Sequence, residues 1–161
     1  MFGSGIDIEI KMRPEDFVVR YKWIEGSVTP PYHYEYEIHI GPGEVGRIIF
    51  FPDYPMEDRP VWIEEFNLDN VVLDRLYEVM VEKDIFVRDW TAIENTAVGG
   101  KLEWIEGAAN MMDFRVPSTI EESEMVQSIY EFLRSLVPGW IWTKLMWKRQ
   151  QYEDDYLENR E

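Results

Sequence analysis

Apolar and polar residues alternate along three runs in the first 40 residues of this chain. The runs span residues 6–12, 17–24 and 32–40, and each carries isoleucine, valine, methionine or aromatic residues at every second position. A period of two residues predicts strands that are buried on one face only. The Pro- and Gly-containing turns at 27–31 and 41–43 are too short for a crossover, so the strands should pair antiparallel.

The rest of the chain continues this pattern with more strands and then with helices. Further strands are predicted at residues 45–51, 61–66, 101–106 and 111–116, the last two joined through Gly107 and Asn110. Apolar residues at spacings of three and four predict amphipathic helices from an Asn67 N-cap to about 83, behind Ser118 or Thr119, and from Trp140 to about Leu157.

Together these elements predict an α+β fold. It consists of a largely antiparallel sheet with the amphipathic helices packed on one face. Pro138 and Gly139 should separate the last two helices. Two strands, a proline and a helix occur twice, once around IFFPDYP and once around FRVPST, which is a weak sign of an internal ββα duplication.

The length and composition fit one globular domain over residues 1–161, with an acidic end, about 153–161, that should fray. The chain has no cysteine, which excludes disulfides, thiolate nucleophiles and iron–sulfur clusters. Residues 136–147 form the most apolar window, and they are too few to cross a bilayer. With no secretory signal in view, we expect a cytoplasmic protein without membrane contact.

A net charge of −16 restricts the partners that the chain can have. Direct binding to nucleic acid is not expected, because it needs cations that displace counterions from phosphates. A basic protein partner is favoured, because opposite charge steers association. One special case is an acidic nucleic-acid mimic, which would need acids spaced like phosphates along one face.

The residues His33, Glu35, Glu37 and His39 lie at even spacing on one face of a predicted strand and include both histidines of the chain. Imidazole and carboxylate are ordinary ligands for zinc, manganese or iron. Neighbours at i and i+2 are about 7 Å apart along a strand, so a third ligand would have to come from another strand. A small metal-dependent or carboxylate-based hydrolase on this face is therefore an alternative function.

A simpler interpretation of the same four residues is a solvent-exposed strand face. Arg20 and Lys22 lie on the polar face of the preceding strand. Antiparallel pairing would set these cations across from Glu35 and Glu37 as a ladder of opposite charges. We favour this interpretation, and we predict no metal, other cofactor or catalytic residue.

Tryptophan is the most unusual component, with seven in the chain. Trp140, Ile141 and Trp142 are consecutive, and on a helix they point about 100° apart, so one core cannot bury all three. Trp140, Trp142 and Trp147 are therefore candidate partner-binding residues, since tryptophan is enriched at binding hot spots. The sequence predicts a non-enzymatic protein-interaction or ligand-binding module whose last helix contacts a second copy of the chain or a basic protein.

Overall fold

A computed structural model describes residues 12–90, 100–118 and 120–159 of the chain. Apart from Met12, the strand predicted at residues 6–12 lies outside these ranges, and so does Thr119 of the predicted helix start. The strands are β1 Val18–Ile24, β2 Tyr34–Ile40, β3 Val45–Pro52, β4 Trp62–Asn67, β5 Leu102–Ala109 and β6 Met112–Val116. The helices are α1 Asn70–Glu82, α2 Ile120–Leu136 and α3 Gly139–Glu158.

The six strands form one sheet in the order β4-β3-β2-β1-β5-β6, and every neighbouring pair is antiparallel. The predicted α+β class and the antiparallel sheet are confirmed. The two described edges of this sheet are β4 and β6. In the first half of the chain, β4 lies between the β2–β3 hairpin and α1, whereas in the second half α2 directly follows the β5–β6 hairpin. The two halves thus differ by one strand, and the ββα duplication stays a prediction.

The two faces of the sheet differ as the alternation predicts. One face, the core face, carries fully buried side chains that include Val19, Tyr21, Ile38, Ile48 and Ile105. The three helices pack on this face, and their buried residues join the same apolar cluster: Leu76, Ile129, Leu133, Ile141 and Leu145. The alternate residues of the strands form the opposite face, which we call the outer face.

The β5–β6 hairpin corrects the predicted turn. Gly107 lies within β5, where a Cβ atom would meet the Val18 carbonyl oxygen at 2.0 Å. The loop consists of Asn110 and Met111, with φ angles of 54° and 64°. A two-residue loop with positive φ at both positions is a type I′ turn, whose twist matches that of the flanking strands.

The helix ends follow local signals, with one correction. Asp69 rather than Asn67 caps α1, because its carboxylate accepts a hydrogen bond from the Val71 amide at 2.6 Å. The predicted break at Pro138 is confirmed, since α2 ends at Leu136 and α3 begins at Gly139. None of the helices in the described ranges is long and apolar enough to cross a membrane.

Candidate functional site

The exposed side of α3 carries two of the predicted partner-binding residues. Trp140 and Trp147 are seven residues apart, which is close to two helical turns, so they lie on one side of the helix. They are 60% and 63% exposed. Ile141 and Leu145, on the opposite side, are fully buried and hold α3 against the sheet. The 100° spacing thus separates Trp140 from Ile141.

The third candidate, Trp142, has a different environment. It is partly buried and packs against the apolar core. Its indole lies edge-on to the ring of Tyr36, with centroids 5.2 Å apart, and its N–H donates to the Arg134 carbonyl oxygen at 3.3 Å. Trp142 therefore contributes to packing between α2, α3 and the sheet, and it does not share the exposed side of α3.

Two lysines of α3 lie near the exposed tryptophans, and both are engaged with β4. Lys144 donates to Glu64 at 3.1 Å, and the Lys148 ammonium lies 5.6 Å from the ring centroid of Trp62. Asp154 follows Trp147 by seven residues and is exposed. We call the exposed side of α3 with Trp140, Trp147 and Asp154 the tryptophan surface.

One end of the His33–His39 face is buried, which contradicts its predicted exposure. His33 is 3% exposed, and its Nε2 lies 2.8 Å from Glu35 Oε2. The ring of Tyr54 stacks on the imidazole with centroids 3.8 Å apart. Arg59 approaches the second oxygen of Glu35 at 3.4 Å. The segment after β3 folds over this end of β2 and buries the pair.

A cavity of about 290 Å³ adjoins the buried pair, and its lining includes Ile24, His33, Glu35, Tyr54 and Leu102. General base catalysis would need an imidazole nitrogen that a substrate proton can reach. His33 Nε2 is engaged with Glu35, and His33 Nδ1 is buried without a hydrogen-bond partner in the structure. Neither nitrogen is open to a substrate in this conformation.

The other end of the same strand is open. His39 Nε2 lies 2.9 Å from Glu37 Oε1, and Lys22 approaches the other oxygen of Glu37 at 3.7 Å. The hydrogen bond from His39 lowers the pKa of Glu37 below its usual value, with a further contribution from the charge of Lys22. Glu37 is thus a carboxylate held in its charged form at an accessible position.

The predicted charge ladder is half confirmed. Lys22 pairs with Glu37 in the register, but Arg20 pairs with His39 and not with Glu35. His33 and His39 are about 20 Å apart along the extended strand, so they cannot share one metal ion. Within residues 12–90, 100–118 and 120–159, no three His, Asp or Glu side chains are grouped so that they could hold a metal.

A buried polar network on the core face was not predicted. The Tyr21 hydroxyl donates to Glu103 Oε2 at 2.5 Å, and Arg134 donates to both, at 2.7 Å and 3.2 Å. Burial, together with the nearby Tyr36 and Glu103, raises the pKa of Tyr21, which keeps this hydroxyl protonated as a donor. The available signal was the charge of Glu103 at an inward position of β5, two residues before the fully buried Ile105.

In the comparisons with known proteins, no family model and no curated protein matches the sequence. A function for this chain therefore has to be inferred from the geometry of the site and the charge of the chain. That geometry brings Trp140 and Trp147 together on one surface, and it separates the two histidines into unconnected pairs.

Proposed function

We propose that this chain is a protein-interaction module that binds a positively charged protein through the tryptophan surface. The observation that carries the proposal is the high exposure of Trp140 and Trp147 on one side of α3. Large aromatic side chains that are left in water lose the free energy of burial, about 1.5–3 kcal/mol each. A partner that covers both recovers this free energy.

The helix that carries these residues is well held. Ile141 and Leu145 are fully buried, and the hydrogen bond from Trp142 to the carbonyl of Arg134 links the start of α3 to the end of α2. Residues placed on a rigid element lose little conformational entropy on binding, so more of their contact energy appears as affinity. The tryptophan surface is thus preorganised for a partner.

The charge of the chain supports a basic partner. The net charge is −16, and Asp154 continues the line of Trp140 and Trp147 along α3. The nearby cations Lys144 and Lys148 are turned to β4 and are engaged there. A second copy of the chain would bring like charges together at this surface, whereas a basic protein would be attracted.

The test combines partner capture with direct binding measurements. The tagged parent protein and a Trp140→Ser/Trp147→Ser variant are used to capture proteins from extracts of the cells that make the chain. Each captured basic protein is then purified and titrated against both. We expect binding to fall about 100-fold or more in the variant, because hot-spot residues contribute about 2 kcal/mol or more each.

The matched control is a Val87→Ser/Met111→Ser variant, which removes two apolar side chains that are also highly exposed. These residues lie after α1 and at the β5–β6 turn, away from α3. The control should bind as the parent does, and added salt should weaken the parent complex. Equal binding by the parent and the double tryptophan variant would contradict the proposal.

A further inference from the structure

The outer face of the sheet presents an ordered pattern of charges across all six strands. The register of the five strand pairs places one row of residues side by side. From β4 to β6 this row reads Glu65, Arg47, His39, Arg20, Glu106 and Arg115. Within one chain its ion pairs are long, 3.9 Å for Arg47–Glu65 and 4.0 Å for Arg20–Glu106.

We infer that the outer face binds the outer face of a second copy, which gives a face-to-face homodimer. The two-fold axis lies between the two stacked sheets and runs parallel to the strands, level with the gap between β1 and β2. It divides the six strands of each sheet into two groups of three. The axis sets β3 of one copy over β5 of the other, and β4 over β6. Such a contact is isologous, so every pairing occurs twice.

This operation matches opposite charges at the outer positions of the row. Arg47 of one copy meets the partner's Glu106, and Glu65 meets the partner's Arg115. At the centre of the row, His39 lies over the partner's Arg20. The neighbouring row along the strands contains Glu37 and Lys22 in adjacent central positions. There the same axis sets Lys22 over the partner's Glu37. Three kinds of opposite-charge contact follow from one symmetry operation.

The apolar residues of the outer face are matched as well. In the row of Glu37, Ile49 of β3 and Trp104 of β5 occupy equivalent positions on the two sides of the axis. The axis therefore places Ile49 against the partner's Trp104. Both are only partly buried in one chain. The next row, with Phe51, lies under the segment after β3, because Arg59 stacks on the Phe51 ring at 4.6 Å, so that row stays outside the contact.

The strand residues of the outer face also bring little net charge to the contact. Apart from Glu35, which is paired with Arg59, its strand residues comprise four cations and four acids. These are Arg20, Lys22, Arg47 and Arg115 against Glu37, Glu65, Glu106 and Asp113. The face is nearly neutral in a chain of net charge −16. Sheets packed face to face keep their strands within about 30° of each other, which suits this arrangement.

The test is a charge exchange between β3 and β5. Molecular mass is measured by analytical ultracentrifugation against concentration, at about 0.15 M salt, for the parent, Arg47→Glu, Glu106→Arg and the combined variant. Arg47 and Glu106 are separated by β2 and β1, about 14 Å within one chain, so they do not pair there. We expect the parent to be a dimer. The dissociation constant of the dimer should be about tenfold or more higher in each single variant, and it should return toward the parent value in the combined variant.

Two controls make the result specific. Arg75→Glu on α1 changes the net charge as Arg47→Glu does and should leave the dimer intact, since Arg75 lies on the exposed side of a helix on the core face. The exchange Glu65→Arg with Arg115→Glu repeats the test at the outer strands, should one of the first variants fail to fold by circular dichroism.

The inference is wrong if the parent is monomeric over the whole concentration range. It is also wrong if the combined variant stays as weak as the single ones, or if Glu106→Arg alone strengthens association. The last result would mean that only the net charge matters. Because the helices lie on the core face, this dimer leaves both copies of the tryptophan surface open, and the test does not depend on the proposed function.

Discussion

Carboxylates on both faces of the sheet have polar or charged partners, but they differ in how deeply they are buried. On the core face, Glu103 is 4% exposed and accepts hydrogen bonds from Tyr21 and Arg134. On the outer face, Glu37 is partly open and lies beside His39 and Lys22. Removing the partner of a buried charge lowers the free energy of unfolding far more than removing the partner of an exposed charge. The loss of stability at these sites should therefore follow the burial of the carboxylate and not the number of its partners.

Glu35 makes the comparison sharper, because it shares the outer face with Glu37 but is buried. Its partners are His33 and Arg59. If burial determines the loss of stability, Glu35 should behave like Glu103, although Glu37, two residues further along β2, lies on the open part of the same face. The loss of stability on substitution should therefore decrease from the most buried of these sites to the most exposed.

The largest effect is expected for Arg134→Ala. The change leaves Glu103 buried with the Tyr21 hydroxyl and the more distant Lys101 as its partners. The free energy of unfolding should fall by about 3 kcal/mol, as it does when a buried ion pair is broken. Urea unfolding measures this value. Arg75→Ala, which breaks an exposed pair with Glu78, is the control and should cost under about 0.5 kcal/mol.

A smaller loss is expected for Glu35→Gln. The amide cannot replace the carboxylate toward both Arg59 and His33, so at least one charge-assisted hydrogen bond is lost. We expect about 2 kcal/mol in the same unfolding experiment. Glu37→Gln is the matched control, two residues away on the same strand. Equal losses in the free energy of unfolding for the two changes would mean that burial does not determine how much each carboxylate contributes to stability.

In the monomer, at a protein concentration low enough to dissociate any dimer, Glu37→Gln should lower the free energy of unfolding by less than about 1 kcal/mol at pH 7, and the difference should depend on pH. The pKa of Glu37 is lowered in the folded chain by the hydrogen bond from His39. Its contribution is therefore present above the unfolded pKa of about 4.3 and is lost as the pH falls through the lower folded value. Unfolding at pH 6 and pH 3 should show parent and variant converging at the acidic end. A gap that widens at pH 3 would contradict this sign.

The smallest effect concerns the exposed charges as a whole. At a net charge of −16, the folded chain repels itself, and salt screens this repulsion. The melting temperature should rise by a few degrees between low salt and about 0.3 M sodium chloride, measured by circular dichroism. A falling melting temperature would show that the ion pairs of the outer face outweigh the repulsion.

The fold was largely predictable because its elements follow local periods. Alternation in residues 17–24 and 32–40 places Tyr21 and Ile38 on the core face and Lys22 and Glu37 on the outer face, as the structure has them. The short turns determine that these strands are antiparallel. Such features depend on neighbours in the sequence, which the sequence displays directly.

The sites were less predictable because their partners are distant in the sequence. His33 is buried by Tyr54, and Arg134 reaches Glu103 from a helix 31 residues further along the chain. Glu103 stands out in the sequence as a charge on the apolar face of β5, whereas nothing near His33 in the sequence indicates its contact with Tyr54. The spacing of Trp140 and Ile141 did indicate that one of them must point away from the core, because helix geometry is local.

One consequence concerns β4, which is an edge strand of the sheet formed by the described residues. An edge strand is a template onto which further strands can add, and this is how fibres grow. Two copies of β4 that pair antiparallel along most of their length set Glu64 opposite its own copy in one register and Glu65 opposite its own copy in another. Like charges directly opposite each other destabilise strand pairing. The two adjacent glutamates therefore disfavour the antiparallel addition of a second copy of β4 along this edge.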